Sequence, residues 1–250
     1  MIKPTQPLST EKKRETASFL QRLLDKIYPH HCILCSSDST HLDLCEGCQA
    51  NLPRNQNACL RCAHPLETSH IQTRLICAHC LKSPLVIDHS IVPFLYQNPI
   101  SFMVKQLKFH NQLAYAPLIA HLISQALQQE ENLPQLIIPV PLHSKRLQQR
   151  GFNQSQQIAE HIAKQLNLNC RYDLVTRHKN TTSQTELNTA LRQQNIKGAF
   201  RVIKPIGAKR VAIVDDVMTS GATANELAIT LKQAGIEEVQ LWAFARAGQH

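Results

Sequence analysis

Apolar residues recur along this chain with two different periods, and a stretch that follows neither divides it. Leu20, Leu23, Leu24, Ile27 and Tyr28 fall at i, i+3, i+4, i+7 and i+8, which predicts an amphipathic helix within residues 1–29. Lys12, Lys13, Arg14 and Arg22 decorate it and Pro29 follows. Such a helix packs on its own protein or, as the alternative, on a partner or a membrane surface. From residue 30 to about 82 large apolar residues are sparse. Beyond it the pattern alternates. Residues 85–96 carry β-branched runs that predict a strand or two, and 100–109 and 114–128 have helical periodicity. Leu136 to Val140 is a short apolar run suited to a buried strand. Residues 153–166 are helical, with Phe152, Ile158, Ala159 and Ile162 as candidates for the buried face. Val211 to Val214 is a second apolar run, followed by a helix over 222–234 with Gly235 at its C-terminal cap, and 239–245 is a last strand. Strands alternating with helices imply parallel crossovers and a sheet covered on both faces, with ligands at the carboxyl ends of the strands.

Composition narrows the class. Apolar residues are 43% of 250, charged residues 18%, with 7 Gly and 13 Pro, which excludes collagen-like and low-complexity chains. Lys and Arg number 27 against 18 Asp and Glu, a net charge of +9 and a pI near 9.2. That balance admits a polyanionic partner without requiring one. The apolar run 136–142 is far too short to cross a bilayer. Charged residues Glu11 to Glu15 stand where a secretion signal would be apolar. A cytoplasmic location is expected, at the inner face of the membrane if the first helix binds there.

Eight of nine cysteines lie between positions 32 and 80, as four C-x-x-C pairs: Cys32/Cys35, Cys45/Cys48, Cys59/Cys62 and Cys77/Cys80. In a reducing compartment thiols do not form a disulfide framework. Each pair is a tight knuckle that aims two thiolates at one point, and two knuckles complete a tetrahedral zinc site. Two structural zincs are expected, with an iron–sulfur cluster or redox pairs as alternatives. Consecutive pairing closes the shorter loops and is favoured over an interleaved cross-brace. Four thiolates leave no position for water, so zinc catalysis is not expected. Cys170 stands alone, an ordinary thiol.

The segment from Val211 to Thr223 carries the other chemistry. An apolar strand ends in Asp215 and Asp216, and a turn with Thr219, Ser220, Gly221, Ala222 and Thr223 leads into a helix. Gly221 lets backbone approach an anion, helix N-terminal N–H groups point at it, and the hydroxyls donate to phosphate oxygens. The two aspartates accept from sugar hydroxyls or hold hydrated Mg2+. The alternative is a capped strand–helix junction. After the Leu136 strand, Lys145, Arg146 and Arg150 are available in a second loop for pyrophosphate or nucleic acid, or are merely solvated. Arg177 and Lys179 open a polar stretch to 195 that is either a mobile loop closing over the site or a disordered one.

The run VAIVDDVMTSGAT closely resembles the binding motif for phosphoribosyl pyrophosphate (PRPP) of type I phosphoribosyltransferases. That resemblance implies that Asp215 and Asp216 meet the ribose hydroxyls, with Mg2+ accompanying PRPP, and that residues 219–223 grip the 5′-phosphate. The run from Ile138 to Gln154, IPVPLHSKRLQQRGFNQ, resembles the signature of the ComF family of competence proteins, which includes GntX-type proteins. So do the knuckles placed first, the Leu107-Lys108-Phe109 stretch, and Arg192, Asn195, Lys197, Gly198, Ala199 and Phe200. Family members often carry Gly after Lys-Phe, where this chain has His110 and Asn111. The implied organisation is an N-terminal helix over 1–29, a double zinc ribbon over 30–82 and an α/β domain over 83–250. That domain is a type I phosphoribosyltransferase-like parallel sheet with flanking helices.

Two functions follow. One is handling of incoming single-stranded DNA in natural transformation, on the cytoplasmic side of the inner membrane. Lys105, Lys108, Lys145, Arg146 and Arg150 would line its groove, Phe109 and Phe152 would stack bases, and a DNA-uptake helicase or channel protein would dock on the ribbons. The other is an active phosphoribosyltransferase with an acceptor the sequence does not name. Fold and ligand loop do not by themselves establish turnover.

Overall fold

The computed structural model describes residues 30–39, 42–67, 75–180 and 195–248. The amphipathic stretch 1–29, Arg192 and most of the polar stretch after Lys179 lie outside the described residues. The chain forms two compact units that meet in sequence at Asn51 and Leu52.

In the first unit, strands β1 (His30–His31) and β2 (Asp38–Ser39) pair antiparallel. A short helix, α1 (Glu46–Ala50), follows, with the Cys45 thiol at its N-cap accepting from the Cys48 amide. Nδ1 of His30 lies 2.7 Å from Oδ1 of Asp43 and closes the loop between them.

The second unit is built on one parallel sheet. It contains β3 (His89–Ile91), β4 (Phe94–Leu95), β5 (Leu136–Pro139), β6 (Asn169–Cys170), β9 (Arg210–Met218) and β10 (Glu238–Arg246). The order is β3-β10-β9-β5-β6, with β4 also on β10. Its strands read as unbroken apolar runs because both faces are covered. One face packs on α4 (Tyr115–Leu127) and α6 (Gln154–Leu166). There Ile158, Ala159 and Ile162 are fully buried, as predicted, and Phe152 only half. The other face packs on α7 (Ala222–Gln233), whose Ala224, Leu227, Ala228 and Leu231 share one apolar cluster with Val211, Ile213 and Leu241. Cys59, Cys62, Cys77 and Cys80 belong to that same cluster.

Three features depart from the expected pattern. The basic segment after β5 is not a loop but a helix, α5 (Ser144–Arg150), capped by the His143 side chain on the Lys145 amide and stopped by Gly151 at φ 82°. Its polar composition hides it, because it buries no residue. The strand that carries the acids does not end at them but runs on through Val217 to Met218. A separate antiparallel pair, β7 (Val175–Arg177) and β8 (Phe200–Val202), brackets the polar stretch. After α3 (Ile100–Phe109), Asn111 takes the left-handed conformation at φ 54°, which Asn tolerates better than most residues.

Candidate functional site

Each cysteine group is assembled by local geometry. Cys32, Cys35, Cys45 and Cys48 bring their sulfurs within 4.8 Å of one another, as do Cys59, Cys62, Cys77 and Cys80. The consecutive pairing is therefore the one the fold makes. No disulfide links the described cysteines. The Cys35–Cys45 and Cys62–Cys77 sulfurs are 3.7 and 3.6 Å apart. A tetrahedron with Zn–S bonds of about 2.3 Å has edges of about 3.8 Å, so the donor sets fit zinc. Backbone amides support the thiolates: Cys48 donates to Cys45 at 3.5 Å, Cys80 to Cys77 at 3.4 Å and Cys77 to Cys59 at 3.3 Å. The groups differ in setting. Cys35 is exposed, whereas the second group, in which Cys77 caps the short helix α2 (Ala78–Lys82), is entirely buried.

The second group is fastened to the sheet. Ser90 of β3 donates its amide to the Leu60 carbonyl at 2.7 Å and its hydroxyl to the Arg61 carbonyl at 2.5 Å. Buried Asn55 bridges the carbonyls of Ala63 and Val92. Arg246, the last residue of β10, donates to the Cys62 carbonyl at 2.9 Å.

The acidic pair lies at the carboxyl edge of the sheet. Strand β5 stops pairing with β9 at Pro139 opposite Val214, so Asp215 and Asp216 extend past it while β10 still supports them. The space above β5 is filled by the turn into α6. Asn153 caps that helix on the Ser155 amide and donates to the Val140 carbonyl at 3.0 Å. This places the Ser155 hydroxyl 2.9 Å from Oδ1 of Asp215. Successive strand residues point to opposite faces, and the second acid has a different partner. Nζ of Lys108, on α3 (Ile100–Phe109), is 2.6 Å from Oδ2 of Asp216, whose side chain is 3% exposed.

Further cations converge here. The charge of Asp216 acts on Arg150, that of Asp215 on Arg177, and Arg146 acts on both arginines. The Arg150 guanidinium lies over the ring of exposed Phe109, and that of Arg177 over Phe200, each at 5.7 Å. Lys145 is exposed on α5. Lys179 is directed elsewhere, donating to the Lys197 carbonyl at 2.6 Å. Cys170, at the other end of the sheet, has its thiol pushed up to about 12 by burial, which makes it unreactive.

Sequence reasoning placed Asp215, Asp216, Arg150 and Arg177 as candidates, and the fold brings them together. It missed Ser155 as a partner of Asp215, although Ser155 directly follows the Ile138–Gln154 signature. It assigned Lys108 to a groove rather than to Asp216. No spacing rule in one sequence links positions 108 and 216.

Burial and the neighbouring charge of Asp216 push Asp215 up from 3.8 to about 7, against the opposing pull of Lys108 and the Ser155 hydroxyl. The folded state thus binds a proton between roughly pH 4 and 7 that the unfolded chain releases. The stabilisation this gives is fully present below the unfolded value and is lost as pH rises through about 7. Asp215→Asn should therefore melt higher than wild type at pH 8, with the gap closing towards pH 4. A pH series of thermal melts checks this, and parallel curves would refute it.

After Met218 the chain turns through exposed Thr219 and half-buried Ser220 to Gly221 at φ 76°, the N-cap of α7. No side chain caps this helix through its N-cap, in contrast to α5 and α6. A Cβ on Gly221 would stand 2.8 Å from the Met218 methyl in a left-handed backbone. Gly221→Ala should cost about 1–2 kcal/mol in urea unfolding; an unchanged midpoint would show that the turn relaxes freely.

Comparison with known proteins bears on both parts. Residues 23–84 match the double zinc ribbon domain family and residues 152–250 the phosphoribosyl transferase domain family. Competence protein F of Haemophilus influenzae is 33% identical over 229 residues, covering 86% of this chain and 96% of that protein. DNA utilization protein YhgH of Escherichia coli O157:H7 is 31% identical over 225 residues, covering 87% and 97%. Competence protein ComFC of Streptococcus pneumoniae is 23% identical, covering 81% and 87%.

Proposed function

Because the chain belongs to the family of competence protein F and DNA utilization protein YhgH, we propose that it handles incoming single-stranded DNA during natural transformation, at the cytoplasmic side of the inner membrane, and binds PRPP beside that strand. One observation carries the reading. Two carboxylates at the carboxyl edge of a parallel sheet sit among Lys108, Arg146, Arg150 and Arg177, next to a glycine turn that opens a helix. The turn suits a 5′-phosphate, the carboxylates accept from ribose hydroxyls, and the cations face a pyrophosphate. Mg2+ carried by the pyrophosphate would add positive charge at its oxygens. No described helix is long and apolar enough to cross a membrane.

The strand itself would follow the surface outside this site. Phe109 is 68% exposed and backed by Arg150, and Lys105 and Lys145 are exposed on α3 and α5. An aromatic face with flanking cations stacks a base and neutralises phosphates.

A calorimetric PRPP titration with Mg2+ tests the first part. Wild type should bind, and Asp215→Asn/Asp216→Asn should lose binding while remaining folded; equal affinity in both would sink it. For the strand, Lys105→Gln/Lys145→Gln should reduce the slope of log K against log salt by about 1.4, two single-strand phosphate contacts. Phe109→Ala should cost about 1–3 kcal/mol with the slope unchanged. A salt-independent affinity would count against this surface. Pyrophosphate release in the presence of an acceptor would extend the reading to turnover.

A further inference from the structure

Arg246 is a long way in sequence from everything it touches except its own C-terminal neighbours. It closes β10, is 4% exposed, and its guanidinium donates to a cluster of backbone carbonyls. Nε reaches the Cys62 carbonyl at 2.9 Å, and Nη1 reaches Met218 and Gly248 at 3.4 Å and Ala247. A buried guanidinium needs negative charge nearby as well as acceptors. The sulfurs of Cys62, Cys77 and Cys80 supply such charge, opposing the effect of burial on this arginine. Four thiolates around one zinc dication carry a net charge of minus two.

The other end of the contact is the start of the anion turn. Met218 immediately precedes Thr219, and its carbonyl also accepts from the Ala247 amide at 2.8 Å. Its methyl lies beside Gly221, 2.8 Å from where a Cβ would stand. One unbroken line of contacts thus runs from the Cys62 knuckle through Arg246 and Met218 to Gly221. All of it lies within the second unit.

We propose that Arg246 is a positioning residue that couples metal occupancy of the Cys59/Cys62/Cys77/Cys80 site to the shape of the phosphate-gripping turn Thr219–Thr223, so that zinc at this site and the phosphate ligand bind cooperatively. The inference rests on the reading of that turn given above. Coupling between two sites is reciprocal. Zinc loss loosens the turn, and a ligand in the turn slows zinc loss.

The test uses the full-length zinc-loaded protein and three readouts: hydrogen exchange of the 219–223 amides, release of zinc to a chromophoric chelator, and PRPP affinity. Arg246→Gln removes the charge and most of the fork; Arg246→Lys keeps the charge. Arg171→Gln removes an exposed arginine paired with Asp173 and serves as the control. Arg246→Gln should speed exchange in 219–223 at least tenfold, release one of the two zincs at least tenfold faster, and weaken PRPP about tenfold. Arg246→Lys should recover part of the zinc retention, and PRPP should slow zinc release from wild type. Wild-type exchange and zinc release in a folded Arg246→Gln protein overturn the proposal. If wild type binds no PRPP, the functional reading fails, while the exchange and zinc readouts still decide the coupling. If Arg246→Gln does not fold, wild type is compared with and without chelator. A 219–223 exchange rate that does not respond to zinc while β5 stays protected overturns it.

Discussion

Cys77→Ser is expected to unfold the larger unit at temperatures where wild type is native, whereas Cys35→Ser leaves that unit folded. Both remove one thiolate of four, so the difference lies in where each site sits. Cys59, Cys62, Cys77 and Cys80 are buried in the cluster that joins the sheet to α7. Weakening their metal leaves buried thiols and the buried Arg246 guanidinium without the charge balance they need. A structural zinc contributes about 10–16 kcal/mol in isolated fingers, and whole domains are stable by only about 5–15 kcal/mol. Loss of such a site ranks among changes that cost more than about 4 kcal/mol, or at least about 8 °C in a unit of this size. Cys35 is exposed in the first unit, and its loss acts there. Each variant should hold one zinc by metal analysis. A Cys77→Ser protein with one zinc that melts within a few degrees of wild type would show the second site to be an appendage rather than part of the core.

That difference between the ribbons marks a limit of sequence reading. C-x-x-C spacing only favours the consecutive pairing of knuckles that the fold makes, but the eight metal-binding cysteines follow from it, because a knuckle is a local structure. The apolar runs at 136–140 and 211–214 are legible for the same reason: a strand buried on both faces can contain little else. Spacing does not say which ribbon packs into the sheet. That depends on single hydrogen bonds such as Ser90 to Leu60 and Arg246 to Cys62, between residues 30 and 184 positions apart. Helix α5 escaped because it buries nothing and so has no periodicity. Strands β6, β7 and β8, of two or three residues, are too short to show one. In the candidate site the acids stood out as two charges at the end of an apolar run, while their partners Ser155 and Lys108 arrive from separate helices.

Lys108 supports the second large effect. Its ammonium is 2.6 Å from Asp216, a carboxylate with 3% of its side chain exposed, and its charge also restrains the rise of Asp215. Lys108→Met keeps the length and the apolar stem and removes only the charge. Breaking a buried pair by deleting one partner costs about 3–5 kcal/mol, because the remaining charge stays buried. Here the nearby Arg150 offsets part of it, so about 3 kcal/mol is expected at pH 8. The cost should depend on pH in a defined direction. Without Lys108 the two acids repel with less compensation, so Asp215 holds its proton to a pH above the present value of about 7. Once that proton is bound the pair carries one charge instead of two, and the penalty shrinks. Lys108→Met should therefore approach wild type in stability as pH falls from 8 to 5.5. Adding Asp216→Asn should recover most of the loss at pH 8, since the charge left unpaired is then gone, and the two substitutions should be strongly non-additive. Urea unfolding of wild type, both single variants and the double variant at the two pH values gives the coupling directly. Additive losses that ignore pH would mean that Lys108 acts through its packing on α3 and not through the acids, and the convergence of charge at this edge of the sheet would then have to be carried by the arginines alone.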